Sequence, residues 1–125
     1  MFIKEDNGVK VFSLDEAEWS PYFLPEYNLR RKVFHSENLT WAMSELPGGT
    51  TFEEGHSHPE EQILHVLQGS FDFLCGDKVY KLKAGDIIVI PSNVYHLPNV
   101  SSKENVICIE VFTPCRDYPE SNQAK

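Results

Sequence analysis

The sequence predicts an all-β domain, an antiparallel sandwich or barrel preceded by an aromatic arm. Three observations carry that expectation. Short apolar runs recur with Gly, Pro, Asn and Asp between them, and no segment after residue 20 keeps a helical period. The 125 residues are enough for one domain with a core and too few for two.

Residues 1–29 read as the arm. They hold Trp19, Tyr22, Phe23 and Tyr27, Pro21 and Pro25 interrupt any helix, and only Ser13 to Glu18 is weakly helical. Such an arm covers an open edge of its own sheet or packs on a partner subunit. Residues 30–118 form the barrel and 119–125 a tail, with Ser121 to Lys125 expected to be disordered. Within the barrel, strands are expected at 31–35, 39–46, 63–67, 70–74, 79–82, 87–90 and 106–112, with a further short one at 50–52. Pro47-Gly48-Gly49, Gln68-Gly69, Gly76-Asp77 and Lys83-Ala84-Gly85-Asp86 are the turns between them. On the 39–46 strand Trp41, Met43 and Glu45 share a face, expected to fill the barrel or line its mouth. On the last strand Val106, Cys108, Glu110 and Phe112 share one face, and Ile107, Ile109 and Val111 take the other, expected to be the drier.

Charge and composition narrow the partners. A net charge of -8 with no basic run repels phosphate backbones, which excludes nucleic acid as a ligand. No apolar stretch approaches the roughly 20 residues that span a bilayer, and Met1 to Asp6 turns polar too early for a signal peptide, so no membrane partner and a cytoplasmic location are expected. Cys75, Cys108 and Cys115 show no C-x-x-C spacing and fit a reducing compartment. Cys108 reads as a small buried hydrophobe rather than a catalytic thiol.

The chemistry concentrates in His56-Ser57-His58-Pro59-Glu60-Glu61-Gln62. If the chain is extended there, His56, His58 and Gln62 point to one side. His96, after the apolar 87–90 strand and a turn, supplies a third imidazole. Neutral imidazole is among the commonest ligands of divalent transition metals, and three histidines with one amide oxygen leave coordination positions open for water or substrate. The alternative is two exposed strand histidines and an unrelated turn histidine. Tyr95, opposite His96 by parity, and His35, His65 and Tyr80 are expected on the outer face. Glu110 lies on the strand that ends at the site, either as a surface charge or as an acid/base.

These residues resemble the cupin superfamily. Gly49, His56-Ser57-His58, Gln62 and Gly69 look like its first motif, and Gly85, Pro91 and His96 like its second. The resemblance implies a double-stranded β-helix, or jelly-roll barrel, with a metal held by His56, His58, Gln62 and His96 inside the barrel mouth. The family's usual Glu ligand is Gln62 here. Three His and a Gln leave a divalent ion its full charge, which favours Lewis-acid work. Nickel, manganese, iron, cobalt and zinc all suit the shell.

A narrower resemblance, to the KdgF-type pectin-degradation cupins, rests on Arg30-Arg31-Lys32-Val33, the His-Ser-His-Pro-Glu-Glu-Gln run, Ile90 to His96 and the 110–118 tail. It implies opening of unsaturated monouronates into linear 5-keto-4-deoxyuronates, with Glu110, Phe112 and Arg116 at the spacing of that family's acid, aromatic and arginine. The family's acid is Asp, so Glu110 is one methylene longer. In that reading Glu110 moves a proton, Arg116 holds the substrate carboxylate and Phe112 faces the sugar. Phe112 as a core aromatic and Arg116 as a surface partner of Asp117 or Glu120 are the alternatives. An iron-dependent dioxygenase and a non-enzymatic module that binds a small molecule are the competing functions, and pairing into a homodimer is expected.

Overall fold

The computed structural model describes residues 7–21 and 29–118. Nine strands run in chain order: β1 (Ser20–Pro21), β2 (Arg30–His35), β3 (Thr40–Leu46), β4 (Glu61–Gln68), β5 (Ser70–Cys75), β6 (Lys78–Lys83), β7 (Ile87–Ile90), β8 (His96–Asn99) and β9 (Val106–Thr113). They form an antiparallel six-stranded sheet, ordered β1-β2-β3-β9-β4-β7, and a three-stranded sheet, β6-β5-β8. This all-β arrangement is the jelly-roll fold expected from the sequence. Among the described residues no helix is long and apolar enough to cross a membrane.

Period-two alternation fixes what faces inward. From β4, Leu64 and Val66 meet Phe71 and Phe73 of β5, Ile90 of β7, and Val106 and Cys108 of β9 in one buried cluster. A smaller cluster joins Val33, Ala42, Phe112 and Tyr118. The interior row of β3 is Thr40, Ala42, Ser44 and Leu46. Trp41, Met43 and Glu45 therefore face outward, contrary to expectation, and the reason is local. Trp41 packs on Phe34 at 5.5 Å, Phe12 closes on Phe34 at 4.9 Å, and so the large aromatics have their own apolar surface outside the barrel. Inside, Ala42 sits opposite Glu110 in the ladder, where a tryptophan would occupy the cavity. The β9 expectation reverses in the same way: Val106, Cys108, Glu110 and Phe112 are the buried face, and Ile107, Ile109 and Val111 are only half-buried. Burial followed the cavity, not the count of aliphatic residues.

The described part of the arm covers its own barrel. The Lys32 ammonium donates to the Leu14 carbonyl at 2.8 Å, Trp19 lies 4.2 Å from the Arg30 guanidinium, and β1 extends the sheet beside β2. Ser13 to Glu18 is one turn, closed by the Ala17 amide donating to the Ser13 carbonyl. Tyr22, Phe23, Pro25, Tyr27 and the tail from 119 onward lie outside the described residues, as does the disorder expected there.

Two further expectations change. Residues 50–52 form no strand, although the Val100 amide donates to the Thr50 carbonyl at 2.8 Å. Residues 96–99, not expected as a strand, pair with β5 as an edge strand, where the missing N–H of Pro98 is tolerated.

Candidate metal centre

His56 and His58 do not sit on a continuous strand; β4 begins at Glu61. What joins the histidines is an isolated bridge. The His56 amide donates to the His96 carbonyl at 3.0 Å and the His96 amide to the His56 carbonyl at 2.9 Å, so the first and third histidines are direct cross-strand partners. Gly55 makes that approach possible, because a Cβ there would collide with the His96 carbonyl. The next turn is tied by the Ser92 hydroxyl donating to the Pro59 carbonyl and the Asn93 amide to the His58 carbonyl. One ring nitrogen from each of His56, His58 and His96 then lies within 4.8 Å of the others, with ring centroids 4.6 to 5.4 Å apart.

Hydrogen bonding decides which atoms face the centre. The His58 Nδ1–H donates to the Glu60 carbonyl at 3.0 Å and the His96 Nδ1–H to the Val94 carbonyl at 2.9 Å, since a carbonyl only accepts. In each ring Nε2 is the nitrogen left for the centre. The Gln62 Nε2 donates at 2.7 Å to Glu110 Oε1, which likewise only accepts, so the amide oxygen is turned the other way, 3.1 Å from His58 Nε2. A proton on His58 Nε2 or a shared metal ion satisfies both atoms. His96 Nε2 is buried and has no hydrogen-bond partner. Burial, with the neighbouring His96, Arg116, His58 and Arg31, pushes the His56 pKa down to about 3, and burial lowers His96 as well. Three imidazoles brought together, one of them with a buried Nε2 that has no hydrogen-bond partner, and an oriented amide oxygen fit a divalent transition metal held by His56, His58, His96 and Gln62.

The centre opens on a cavity of about 80 Å³. His56, His96, Gln62, Glu110 and Arg31 give it polar groups, and Leu64, Phe71, Phe73 and Phe112 an apolar wall. Glu110 is buried, with Oε2 accepting from the Ser44 hydroxyl at 2.6 Å and 3.4 Å from Arg31 Nη2. Phe112 is buried between His58 and Tyr118, its ring 5.7 Å from each. Arg116 lies at the edge of this group, its guanidinium 5.7 Å from the Phe112 ring and its Nη1 3.1 Å from Glu60 Oε1. Among the described residues Glu60, rather than Asp117, is the partner, and Glu120 lies outside them. Tyr95 is outside, its hydroxyl accepting from the Gly55 amide at 2.7 Å.

Three residues escaped sequence reading: Glu60, Ser44 and Arg31. Glu60 also stands 3.4 Å from His58 Nδ1 and so links Arg116 to a metal ligand. Ser44 shares the interior phase of Ala42 and Leu46, and Arg31 that of Val33. Phase was the available signal, but a charged residue read alone on an early strand counts as solvent-facing.

Known proteins bear on this geometry. The family model described as "Cupin domain" matches residues 42–112. The chain is 34% identical over 131 aligned positions to "Acireductone dioxygenase" of Dictyostelium discoideum, covering 98% of this chain and 88% of that protein. It is 35% identical to the protein of that name from Yarrowia lipolytica, over 66% of this chain and 54% of the relative. In the Oryza sativa relative, 28% identical, it likewise spans about half the length, 52%. Among solved structures, KdgF from Halomonas sp. superposes with a TM-score of 0.74 at 25% identity, over 87% of this chain and 96% of that one. An RmlC-like cupin from Shewanella frigidimarina gives 0.74 at 21% identity over 86% and 92%, a likeness of fold alone.

Proposed function

Because the chain belongs to the cupin family, we propose that it is a metal-dependent enzyme acting on a small sugar acid, opening unsaturated monouronates into linear 5-keto-4-deoxyuronates. The observation that carries this reading is Gln62. Its amide oxygen is turned toward the histidines by Glu110, giving a neutral four-ligand shell with a carboxylate beside it that is not itself a ligand. A divalent ion in such a shell supplies Lewis-acid stabilisation of negative charge on a substrate oxygen. Ring opening breaks the bond between the anomeric carbon and the ring oxygen as the anomeric hydroxyl gives up its proton and becomes an aldehyde, and the ring oxygen takes a proton as an enol; conversion of that enol to a ketone removes its O–H proton and adds one to the neighbouring carbon, so a single carboxylate can relay the protons and no oxidant is needed. Glu110 is that carboxylate, buried and lining the cavity. Phe112 offers the sugar a flat wall, and Arg116 exchanges its contact with Glu60 for the substrate's acid group.

The likeness to KdgF over most of both chains supports this choice. A second reading, a dioxygenase acting on an acireductone, is favoured by the 34% identity to the Dictyostelium discoideum protein over nearly the whole chain. The first reading includes a homodimer and a cytoplasmic location. Ile63, Leu67, Ile87 and Val89 form an exposed apolar patch on β4 and β7 of the kind a second copy covers, and the cysteines are free thiols. A sedimentation measurement giving a monomer at micromolar concentration would remove the dimer.

The test is consumption of unsaturated uronate by the purified, metal-loaded protein. The expected rate exceeds the spontaneous one and falls to it in Glu110→Ala and Arg116→Ala. Unchanged kinetics in both variants would remove the assigned roles.

A further inference from the structure

We propose that Glu60 is a positioning residue shared by the metal centre and the acid-binding arginine: when a ligand carboxylate takes Arg116, the Glu60 carboxylate passes to His58, so that acid and metal bind more tightly together than apart. The inference rests on the reading above for Arg116 as the group that takes the acid. Glu60 Oε1 stands 3.1 Å from Arg116 Nη1 and 3.4 Å from His58 Nδ1, and both Glu60 and Arg116 are partly buried. One oxygen serves two donors, and the shorter contact goes to the arginine.

The surroundings let the side chains exchange while the main chain stays in place. The Asn93 amide donates to the His58 carbonyl and the Ser92 hydroxyl to the Pro59 carbonyl, which ties the chain leading to Glu60. Arg116 is tied too, its amide donating to Thr40 Oγ1 at 2.9 Å and its carbonyl accepting from that hydroxyl at 3.2 Å. Its guanidinium lies 5.4 Å from the Tyr118 ring, and among the described residues Glu60 is its ion-pair partner. The Glu60 carbonyl accepts from His58 Nδ1 at 3.0 Å, so the ring keeps its orientation whichever donor the carboxylate serves. A carboxylate released to Nδ1–H makes the imidazole a stronger ligand through Nε2, the atom that faces the centre. The effect is reciprocal. A ring bound to a cation through Nε2 is the stronger donor at Nδ1, draws the carboxylate away from Arg116 and leaves the guanidinium to an anion.

The experiment titrates cobalt into the metal-free protein, followed by the visible cobalt spectrum, alone and with an excess of D-galacturonate or of D-galactose, the same ring with and without the acid. In the wild type the acid is expected to tighten cobalt binding at least about fivefold more than the neutral sugar does. Glu60→Gln keeps an acceptor oxygen without the charge; it should weaken cobalt binding about tenfold and lose most of the acid's effect. Arg116→Gln should lose that effect as well, whereas a ligand carboxylate acting directly on the cobalt would keep it in Glu60→Gln. Glu61→Gln removes an exposed charge one residue away and should behave as the wild type. Glu60→Asp, one methylene shorter, serves if Glu60→Gln fails to fold, and should also lose most of the effect. An acid effect of wild-type size in whichever Glu60 variant folds, an equal loss in Glu61→Gln, or no acid effect in the wild type would overturn the proposal. Turnover of unsaturated uronate is measured separately. Coupling through Glu60 without turnover leaves this inference standing and removes the uronate reading; turnover that depends on Arg116 without coupling does the reverse.

Discussion

The two ends of the barrel interior are built from the same strands and are equally buried, yet they differ in chemistry. At one end β4 contributes Leu64 and Val66, β9 Val106 and Cys108, and β3 Leu46. Two residues along the same inward rows, β4 gives Gln62, β9 Glu110 and β3 Ser44. The apolar end is stable because it hides surface from water. At the polar end each group fixes its neighbour, and the buried His96 Nε2 is left without a hydrogen-bond partner. One end makes the fold and the other makes a site, without any change of secondary structure between them.

Substitutions at each end should separate these roles. The largest effect is expected from His96→Ala, which removes a ligand whose Nε2 has no other partner: metal content by elemental analysis should fall to background while the far-ultraviolet spectrum is retained. Retained metal would break the distinction. At the apolar end Phe73→Ala should cost about 3–5 kcal/mol in denaturant unfolding. The Phe73 ring also lies 5.8 Å from His96, so a simultaneous loss of metal would show that the two ends are less separate than drawn. Glu110→Gln is intermediate. A second amide can donate where the carboxylate only accepts, so the Gln62 orientation loses its lock, and metal affinity should fall about 10–100-fold.

A smaller and gradual effect is expected from pH. The His56 pKa is lowered to about 3 in the folded chain, mainly by burial, from an ordinary 6.5. The unfolded chain therefore binds the proton first as pH falls. Stability of the metal-free protein is fully present above about pH 6.5 and is lost progressively toward pH 3. His56→Asn should flatten that slope in urea titrations at several pH values; an equally steep slope would assign it elsewhere. The smallest effect belongs to the outer face. Lys81 and Asp72 stand 3.5 Å apart in open solvent, and Lys81→Ala should change stability by no more than about 0.5 kcal/mol.

The fold was legible because turns and period are local. Gly76-Asp77 and Lys83 to Asp86 end their strands where the sequence says they should, and seven of the strands were readable from such punctuation. Faces were harder. Trp41 and Ile109 are more apolar than Ala42 and Glu110, and hydrophobicity alone points them inward; the arm and the cavity reverse that order. The cluster of three histidines was readable because His56 and His58 stand two apart and His96 follows an apolar strand and a turn. Their means of convergence was not, since the bridge between His56 and His96 joins residues 40 positions apart through a loop. Glu60, Ser44 and Arg31 act through contacts that no linear spacing encodes.

The most direct test of the account is the opening of unsaturated uronate by the metal-loaded protein with oxygen removed. The neutral shell and the Glu110 relay predict a rate above the spontaneous one, equal with and without oxygen and abolished by a chelator. No acceleration of that reaction, together with oxygen uptake on an acireductone, would contradict it.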